Sequence, residues 1–211
     1  VRYNVFCVIV CYVAIAEKGG ISVKVIGLTG PSGAGKGAVG SCFEKRGIPV
    51  IDCDKEYHTL LLPPSACTDE IISVFGESFR SPDGSLDRAA LSREVFRDKE
   101  KLETLNRISH KYVIERIEAL LFPLGEQGEK AAVIDAPTLF ESGADRLCDA
   151  VVAVTADPET RVGRITERDG IPREAAISRI EAQPEDAFYT SRADFVIRNG
   201  AGTDMEELSA M

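Results

Sequence analysis

Residues 30–37 read GPSGAGKG and match the pattern G-x-x-x-x-G-K at every defining position. The glycines let the backbone fold around phosphate groups with its amide N–H groups pointing inward. Lys36 would add a mobile ammonium group beside the terminal phosphates of a nucleoside triphosphate. The apolar run at 23–28 precedes this glycine-rich stretch, and a helical pattern follows the stretch at 36–45. A strand before and a helix after are the context that such a loop needs. We therefore predict a phosphate loop rather than a flexible glycine-rich turn.

The residue after the lysine is Gly37, whereas Ser or Thr usually stands there and coordinates Mg²⁺ through its hydroxyl. A water molecule could take that coordination position, because Mg²⁺ readily keeps several waters. The alternative is a protein that binds nucleotide but turns it over poorly. The sequence leaves both interpretations open.

Two carboxylates, Asp52 and Asp54, follow the second apolar run at 48–51. In an open α/β sheet, ligands bind at the carboxyl ends of the strands. Alternate residues of an extended segment point the same way, so we expect both carboxylates to face one cleft. A carboxylate beside a phosphate loop can accept the proton of an attacking hydroxyl. The competing interpretation is a pair of helix-capping aspartates before Lys55.

Short apolar runs alternate with helical patterns along the chain, which indicates an α/β fold with a mainly parallel, five-stranded sheet. We predict strands at 23–28, 48–51, 131–134, 150–154 and 195–197, and helices at 36–45, 98–121, 158–168 and 173–182. Residues 60–122 are too many for one crossover and show helical apolar spacing, so they predict a helical insertion beside the sheet.

The 211 residues carry a formal net charge of −9, and 44% of them are apolar. This balance is typical of a globular protein and argues against a nucleic-acid-binding surface, which usually needs many Lys and Arg residues. Any polyanion must therefore be held by a local positive site. The six cysteines form no C-x-x-C pair, so we expect buried thiols rather than a metal site.

The apolar run at 5–16 is 12 residues long, whereas a membrane-spanning helix needs about 20. Arg2 is the only basic residue before the run, and no convincing cleavage site follows the run, so a signal peptide is not indicated either. We expect residues 1–22 to be an extension outside the domain, no stable membrane span, and a cytoplasmic location.

Over residues 23–200 the chain resembles the dephospho-CoA kinase family. The resemblance is carried by the phosphate loop and by an ordered series of further motifs: GIPVIDCD at 47–54, DGSLDR at 83–88, PTLFE at 137–141, RDG at 168–170 and VIRN at 196–199. Such a series is far more specific than a phosphate loop alone.

The resemblance implies a P-loop nucleotide-kinase-like, three-layer fold in a domain at 23–202, followed by a tail at 203–211. Its parts would be a core at 23–59, 123–160 and 191–202, a helical CoA-binding lobe at 60–122 and a lid at 161–190. It also implies transfer of the γ-phosphoryl group of ATP, with Mg²⁺, to the ribose 3′-hydroxyl of dephospho-CoA. The alternatives are another small nucleoside or nucleotide kinase, or a weakly active nucleotide-binding regulatory protein.

Matching positions imply residue roles. Asp54 would be the general base, while Lys36 and Arg164 would stabilise charge on the transferred phosphoryl group. The implied ATP site comprises Gly33, Ala34, Gly35, Lys36, Gly37, Ala38, Arg164 and Asn199. The implied substrate site comprises Asp52, Asp54, Arg88, His110, Pro137 and Leu139, and the candidates for a Mg²⁺ ligand are Asp52 and Asp135.

A purely structural role is the alternative for several of these residues. Arg88 could cap its helix, His110 could be a structural histidine, and Arg168, which matches a lid arginine, could pair with Asp169 or Glu167. The chain also departs from the family pattern at Lys111, Thr138 and Tyr189, where Pro, Leu and Lys are usual.

Overall fold

The computed structural model describes residues 23–63 and 65–200. The extension predicted at 1–22 and the tail predicted at 203–211 lie outside these residues. The chain divides into two compact units. The sheet unit comprises residues 23–51 and 123–200 of the described chain, and the helical unit comprises residues 52–122.

The sheet has five strands in the order β2-β3-β1-β4-β5. Their bounds are β1 (Lys24–Thr29), β2 (Val50–Asp52), β3 (Ala131–Asp135), β4 (Ala150–Thr155) and β5 (Phe195–Arg198). Strand β1 pairs in parallel with β3 and β4, and β4 pairs in parallel with β5. The prediction of a mainly parallel, five-stranded sheet is therefore confirmed, and β1, which leads into the phosphate loop, lies at its centre.

The helices connect these strands or form the helical unit. In chain order they are α1 (Lys36–Glu44), α2 (Cys53–Leu60), α3 (Ala66–Phe75), α4 (Arg88–Val95), α5 (Lys99–Glu126), α6 (Leu139–Ser142), α7 (Pro158–Asp169), α8 (Arg173–Glu181) and α9 (Asp186–Thr190). No helix within the described ranges is both long and apolar enough to cross a membrane.

Helices cover both faces of the sheet, which gives three layers. On one face, Val39 and Phe43 of α1 are buried in one cluster with Ile26 and Leu28 of β1. Gly27 points the opposite way, because side chains alternate along a strand. A Cβ atom at Gly27 would lie 2.7 Å from Leu139 Cδ2, so α6 packs closely on the second face.

The helical unit has its own apolar core, formed mainly by α3, α4 and α5 around the fully buried Ile71 and Ile72. Tyr57 and Leu60 of α2 pack against the same core. The unit therefore begins at Asp52, although the sequence places the start of the insertion at residue 60. It is not entirely helical, since Arg80 and Leu86 form an antiparallel bridge around a turn.

Helix α5 is longer than its predicted range of 98–121. Asp98 caps its start by accepting a hydrogen bond from the backbone N–H of Lys101, and the helix continues through Pro123 to Glu126. A proline inside a helix removes one backbone hydrogen bond and usually marks a kink or an end, and the apolar pattern stops before it. The prediction therefore ended the helix too early.

Phe43 offers a test of this core, because it is fully buried in the layer between α1 and the sheet. We expect Phe43→Ala to lower the free energy of unfolding by ~3–5 kcal/mol, since it removes a buried ring and leaves a cavity. The neighbouring Glu44 is exposed on the same helix, so Glu44→Ala should change stability by no more than ~0.5 kcal/mol. Urea unfolding of the original chain and the two variants would measure both effects, and equal midpoints for the two variants would contradict the burial of Phe43 in the core.

Candidate active site

The loop at 30–37 connects β1 to α1, and its shape requires glycine at three positions. Gly30, Gly33 and Gly35 have φ angles of 140°, 77° and 92°, values that side-chain-bearing residues rarely adopt. There is also no room for a side chain, since a Cβ atom at Gly30 would lie 2.1 Å from Val154 O. The structure therefore contains the loop that the sequence predicts, and this loop leads into the N-terminus of α1.

The N-terminal end of α1 is arranged to receive an anion. Its first N–H groups have no side-chain cap, and its first turn contains no acidic residue. These N–H groups and the helix dipole favour negative charge at this end. Lys36 Nζ lies over the loop and donates a hydrogen bond to Gly30 O at 3.1 Å. A phosphate group bound here would meet both the amides and the ammonium group.

Arg164 and Asn199 lie together against the carbonyl groups of this loop. Arg164 Nη1 donates to the carbonyl oxygens of Gly33 and Ala34 at 3.3 Å each and to Asn199 O at 3.0 Å. Asn199 Nδ2 donates to Ala34 O at 3.0 Å, and Asn199 is only 3% exposed. The structure thus brings two of the predicted ATP-site side chains to the loop, where both hold its backbone.

Two further side chains hold the loop, and neither has a role predicted from the sequence. Arg161 Nε donates to Ser32 O at 2.9 Å, and Ser32 N donates to Gln183 Oε1 at 2.9 Å. A signal for Arg161 was present, because residues three apart on a helix share a face and Arg161 precedes Arg164 by three. Gln183 follows α8 and reaches the loop only through the fold.

The other predicted residues of the sheet unit lie at or after the end of β3. Asp135 is half-buried and lies opposite Leu28, two residues before the loop begins. Pro137 O accepts a hydrogen bond from Thr29 Oγ1 at 3.3 Å. Leu139 is fully buried beside Gly27, so its side chain belongs to the core.

In the helical unit, Asp52 and Asp54 flank the buried Cys53 and are themselves exposed. The expectation of an extended segment is wrong beyond Asp52, because α2 begins at Cys53. Asp52 caps this helix by accepting a hydrogen bond from Lys55 N at 3.0 Å, and Asp54 lies in the first turn. The capping interpretation is therefore correct for Asp52, and the exposure of both carboxylates follows from the burial of Cys53 between them.

Arg88 and His110 also belong to the helical unit. Arg88 is the exposed first residue of α4, and the helix is capped by Asp87, which accepts a hydrogen bond from Ala90 N at 2.9 Å. Arg88 is therefore not the capping residue. His110 is half-buried on α5, and this burial lowers its pKa, which favours the neutral imidazole at neutral pH.

Arg168 forms an ion pair with Asp169, which is one of the alternatives predicted for it from the sequence. Its Nε and Nη2 bind the two carboxylate oxygens of Asp169 at 2.7 and 2.9 Å, and Arg179 binds the same carboxylate. The hydrogen bonds from Arg168, with those from Arg179, lower the pKa of Asp169 to about 2. Arg168 is thus held on the surface of the protein by its ion pair with Asp169.

Two of the departures from the family pattern have local structural partners. Lys111 pairs with Glu70 at 2.8 Å on the surface of the helical unit. Tyr189 is 2% exposed and packs edge-on against the ring of Phe188, with the centroids 5.2 Å apart. A buried tyrosine at this position cannot supply the charge of the lysine that is usual there.

A parallel sheet whose central strand leads into a glycine-rich loop at a helix N-terminus defines a nucleotide-binding protein of the P-loop class. Solved structures share the fold. The Thermus thermophilus protein TT1252 matches with a TM-score of 0.74 and 29% identity, over 90% of this chain and 95% of that one. Dephospho-CoA kinase from Campylobacter jejuni matches with a TM-score of 0.64 and 24% identity, over 88% and 93%.

The sequence model of the dephospho-CoA kinase family matches residues 24–204, and the chain belongs to this family. Proteins named dephospho-CoA kinase are similar over most of their length. That of Listeria monocytogenes is 38% identical over 83% of this chain and 88% of the relative, and that of Fusobacterium nucleatum is 38% identical over 87% and 93%. That of Corynebacterium glutamicum is 36% identical over 88% and 92%. The resemblance found in the motifs is therefore confirmed.

Two glycines of the loop provide a matched pair of variants. Gly35 has a φ of 92°, and a Cβ atom there would lie 2.1 Å from Asn199 Nδ2, so Gly35→Ala should distort the loop and abolish measurable ATP binding. A Cβ atom at Gly37 would meet nothing within 4 Å, so Gly37→Ala should retain ATP binding. Calorimetric titration with ATP would compare the two, and equal affinities would show that the loop geometry does not determine binding.

Proposed function

We propose that this chain transfers the γ-phosphoryl group of ATP to the ribose 3′-hydroxyl of dephospho-CoA and releases coenzyme A and ADP. The observation that carries the proposal is the phosphate loop, with Lys36 over its backbone, in a chain that belongs to the dephospho-CoA kinase family. The names of the relatives support the choice of acceptor. A cytoplasmic location belongs to the same proposal.

In the proposed ATP site, backbone amides of Gly33, Gly35 and Gly37 and of the adjoining Ala34, Lys36 and Ala38 surround the phosphates. The ammonium group of Lys36 would neutralise part of their charge. Arg164 and Asn199 would serve this site by holding the carbonyl side of the loop. Arg164 binds the loop through Nη1, and we propose that its guanidinium also stabilises charge on the transferred phosphoryl group.

For the transfer step, we assign the general base to Asp54. The 3′-oxygen attacks the γ-phosphorus, the bond from that phosphorus to the β,γ-bridging oxygen breaks, and the hydroxyl proton passes to the carboxylate. Asp54 is exposed in the first turn of α2, so its carboxylate is accessible to an acceptor. Asp52 keeps this turn in place through its bond to Lys55 N.

Acceptor binding is assigned to the helical unit, with Arg88 and the neutral His110 as candidate contacts. Arg88 would attract the phosphates of the acceptor, and His110 would offer a hydrogen bond rather than a charge. From the sheet unit, Pro137 is a further candidate contact for the acceptor, whereas Leu139 could contribute only through its backbone because its side chain is buried. We also propose that residues 161–190 form a lid.

The residues near the loop are compatible with Mg²⁺ bound together with ATP. The open space at Gly37 can hold a water in place of the missing hydroxyl, and Asp135 is a carboxylate at the adjacent strand end. No group of three His, Cys, Asp or Glu side chains suited to a metal occurs in the described part of the chain. The ion would therefore rely on phosphates, waters and a carboxylate such as Asp135 or Asp52, and it would neutralise phosphate charge.

An ADP-release assay would test the proposed function and separate it from its alternatives. The acceptors are dephospho-CoA, AMP and adenosine, with a reaction lacking any acceptor as the control. We expect turnover with dephospho-CoA alone, and only when Mg²⁺ is present. Turnover with AMP or adenosine would indicate another nucleotide or nucleoside kinase, and ATP binding without turnover would indicate a regulatory protein.

The role of Asp54 predicts a specific kinetic change. Asp54→Asn should lower kcat by about 10²–10⁴-fold, because the amide cannot accept the proton, while ATP binding stays unchanged. Asp69 is a matched control, since it lies in the first turn of α3 as Asp54 does in that of α2. Asp69→Asn should keep normal kcat, and a normal kcat for Asp54→Asn would remove it from the base role.

The missing hydroxyl at Gly37 predicts a gain of metal affinity on substitution. Gly37→Ser should reduce the Mg²⁺ concentration that gives half-maximal ADP release, because a serine hydroxyl can coordinate the ion and the space for it is open. Gly37→Ala adds the Cβ atom without the hydroxyl and is the control. Identical Mg²⁺ dependence of both variants and the original chain would show that water already fills this position adequately.

A further inference from the structure

The loop-binding residues include one buried arginine for which neither the resemblance nor the proposed mechanism provides a role. We propose that Arg161 is a positioning residue for ATP, which acts with Gln183 to hold the first half of the phosphate loop in its anion-binding shape. The choice of ATP as the ligand rests on the proposed function.

Ser32 is fixed by both partners at once. Its carbonyl oxygen accepts a hydrogen bond from Arg161 Nε at 2.9 Å, and its N–H donates to Gln183 Oε1 at 2.9 Å. Arg161 Nη2 donates to the same Oε1 at 3.3 Å, so the two side chains also orient each other. The loop is thereby held at a residue whose own hydroxyl takes no part in these bonds.

The backbone of Arg161 also supports the loop. A Cβ atom at Gly33 would lie 2.7 Å from Arg161 O and 2.9 Å from its Cα, so the first turns of α7 pack directly on the glycine. Arg164, one turn later, binds the next two carbonyl oxygens of the loop. One face of α7 therefore holds the three consecutive carbonyl groups of Ser32, Gly33 and Ala34.

The charge of Arg161 adds an electrostatic contribution. The residue is only 4% exposed, and this burial lowers its pKa, yet arginine is so basic that the guanidinium stays charged. Asp186 approaches at 3.4 Å, but its side chain is 47% exposed, and the nearer partner Gln183 is neutral. Arg161 thus brings a buried positive charge to the loop and shares it with the carboxylate of Asp186, and bound phosphates would complement this charge.

The test uses the full chain with three substitutions and one control. Arg161→Met removes the charge and the hydrogen bonds, Arg161→Lys keeps the charge, and Gln183→Leu removes the partner of Ser32 N. The control is Arg173→Met, because Arg173 is an exposed arginine of α8 that pairs with Glu159 at 2.7 Å. For each protein, ATP affinity is measured calorimetrically without acceptor, kcat and KM for ATP are measured with dephospho-CoA, and the melting temperature is recorded.

We expect Arg161→Met to weaken ATP binding by about tenfold, which corresponds to the loss of about one charge-assisted hydrogen bond. The KM for ATP should rise in parallel, whereas kcat at saturating ATP should stay close to that of the original chain. Arg161→Lys should recover part of the affinity, Gln183→Leu should weaken binding in the same direction, and Arg173→Met should leave it unchanged.

A purely structural role would lower the melting temperature without changing the ATP affinity of the folded protein, and that result for Arg161→Met would overturn the proposal. If Arg161→Met does not fold, unchanged ATP affinity in both Arg161→Lys and Gln183→Leu would overturn it instead. Because ATP binding is measured without acceptor, its outcome is independent of turnover. Absence of turnover with dephospho-CoA in the original chain would refute the proposed function alone.

Discussion

The phosphate loop depends on hydrogen bonds to its carbonyl groups, because its glycines supply no side chains that could pack it in place. Three of these glycines have φ angles in the left-handed region, so the unsupported loop would have many other conformations available. The support comes from residues more than a hundred positions later in the chain. Arg164 and Asn199 bind the carbonyl oxygen of Ala34, and Arg161 binds that of Ser32. An anion site built from backbone amides therefore needs long-range polar side chains to keep its shape.

The sheet order explains how those distant residues reach the loop. Strand β1 is central, with β4 and then β5 on one side, so the chain leaves β5 at the same edge where β1 leads into the loop. Asn199 follows β5 directly, and its N–H donates to Thr155 O at 2.7 Å, which fixes it beside the end of β4. Helix α7 follows β4 after a short connection and so delivers Arg161 and Arg164 to the same place. Parallel strands thus bring all these groups to one edge, as is general for open α/β sheets.

The parts of this structure that were predictable are those encoded locally. The phosphate loop follows from a short motif, and the strands follow from continuous apolar runs, so both were found with small errors at their ends. The start of the helical unit at Asp52 was missed because α2 has few apolar residues, and its membership depends on Tyr57 and Leu60 packing against α3 to α5. The role of Gln183 was missed for a related reason. A neutral side chain 151 positions from Ser32 carries no pattern that reveals their contact.

The same contacts bear on the acidity of the chain and on its predicted lid. With a net charge of −9, attraction of a polyanion must come from a local field, and Arg161 lies in a buried position where water screens its charge only weakly. Arg168, by contrast, lies on the surface, where it pairs with Asp169. Helix α8 packs on α7 through Val162, Ile165 and Ala176, while Arg161 and Gln183 attach both ends of this helical pair to Ser32. A movement of residues 161–190 as a whole would have to break these bonds to the loop. A lid that closes over bound ATP and keeps these bonds would therefore leave Arg161, Arg164 and Gln183 in place and move only in other parts of residues 161–190.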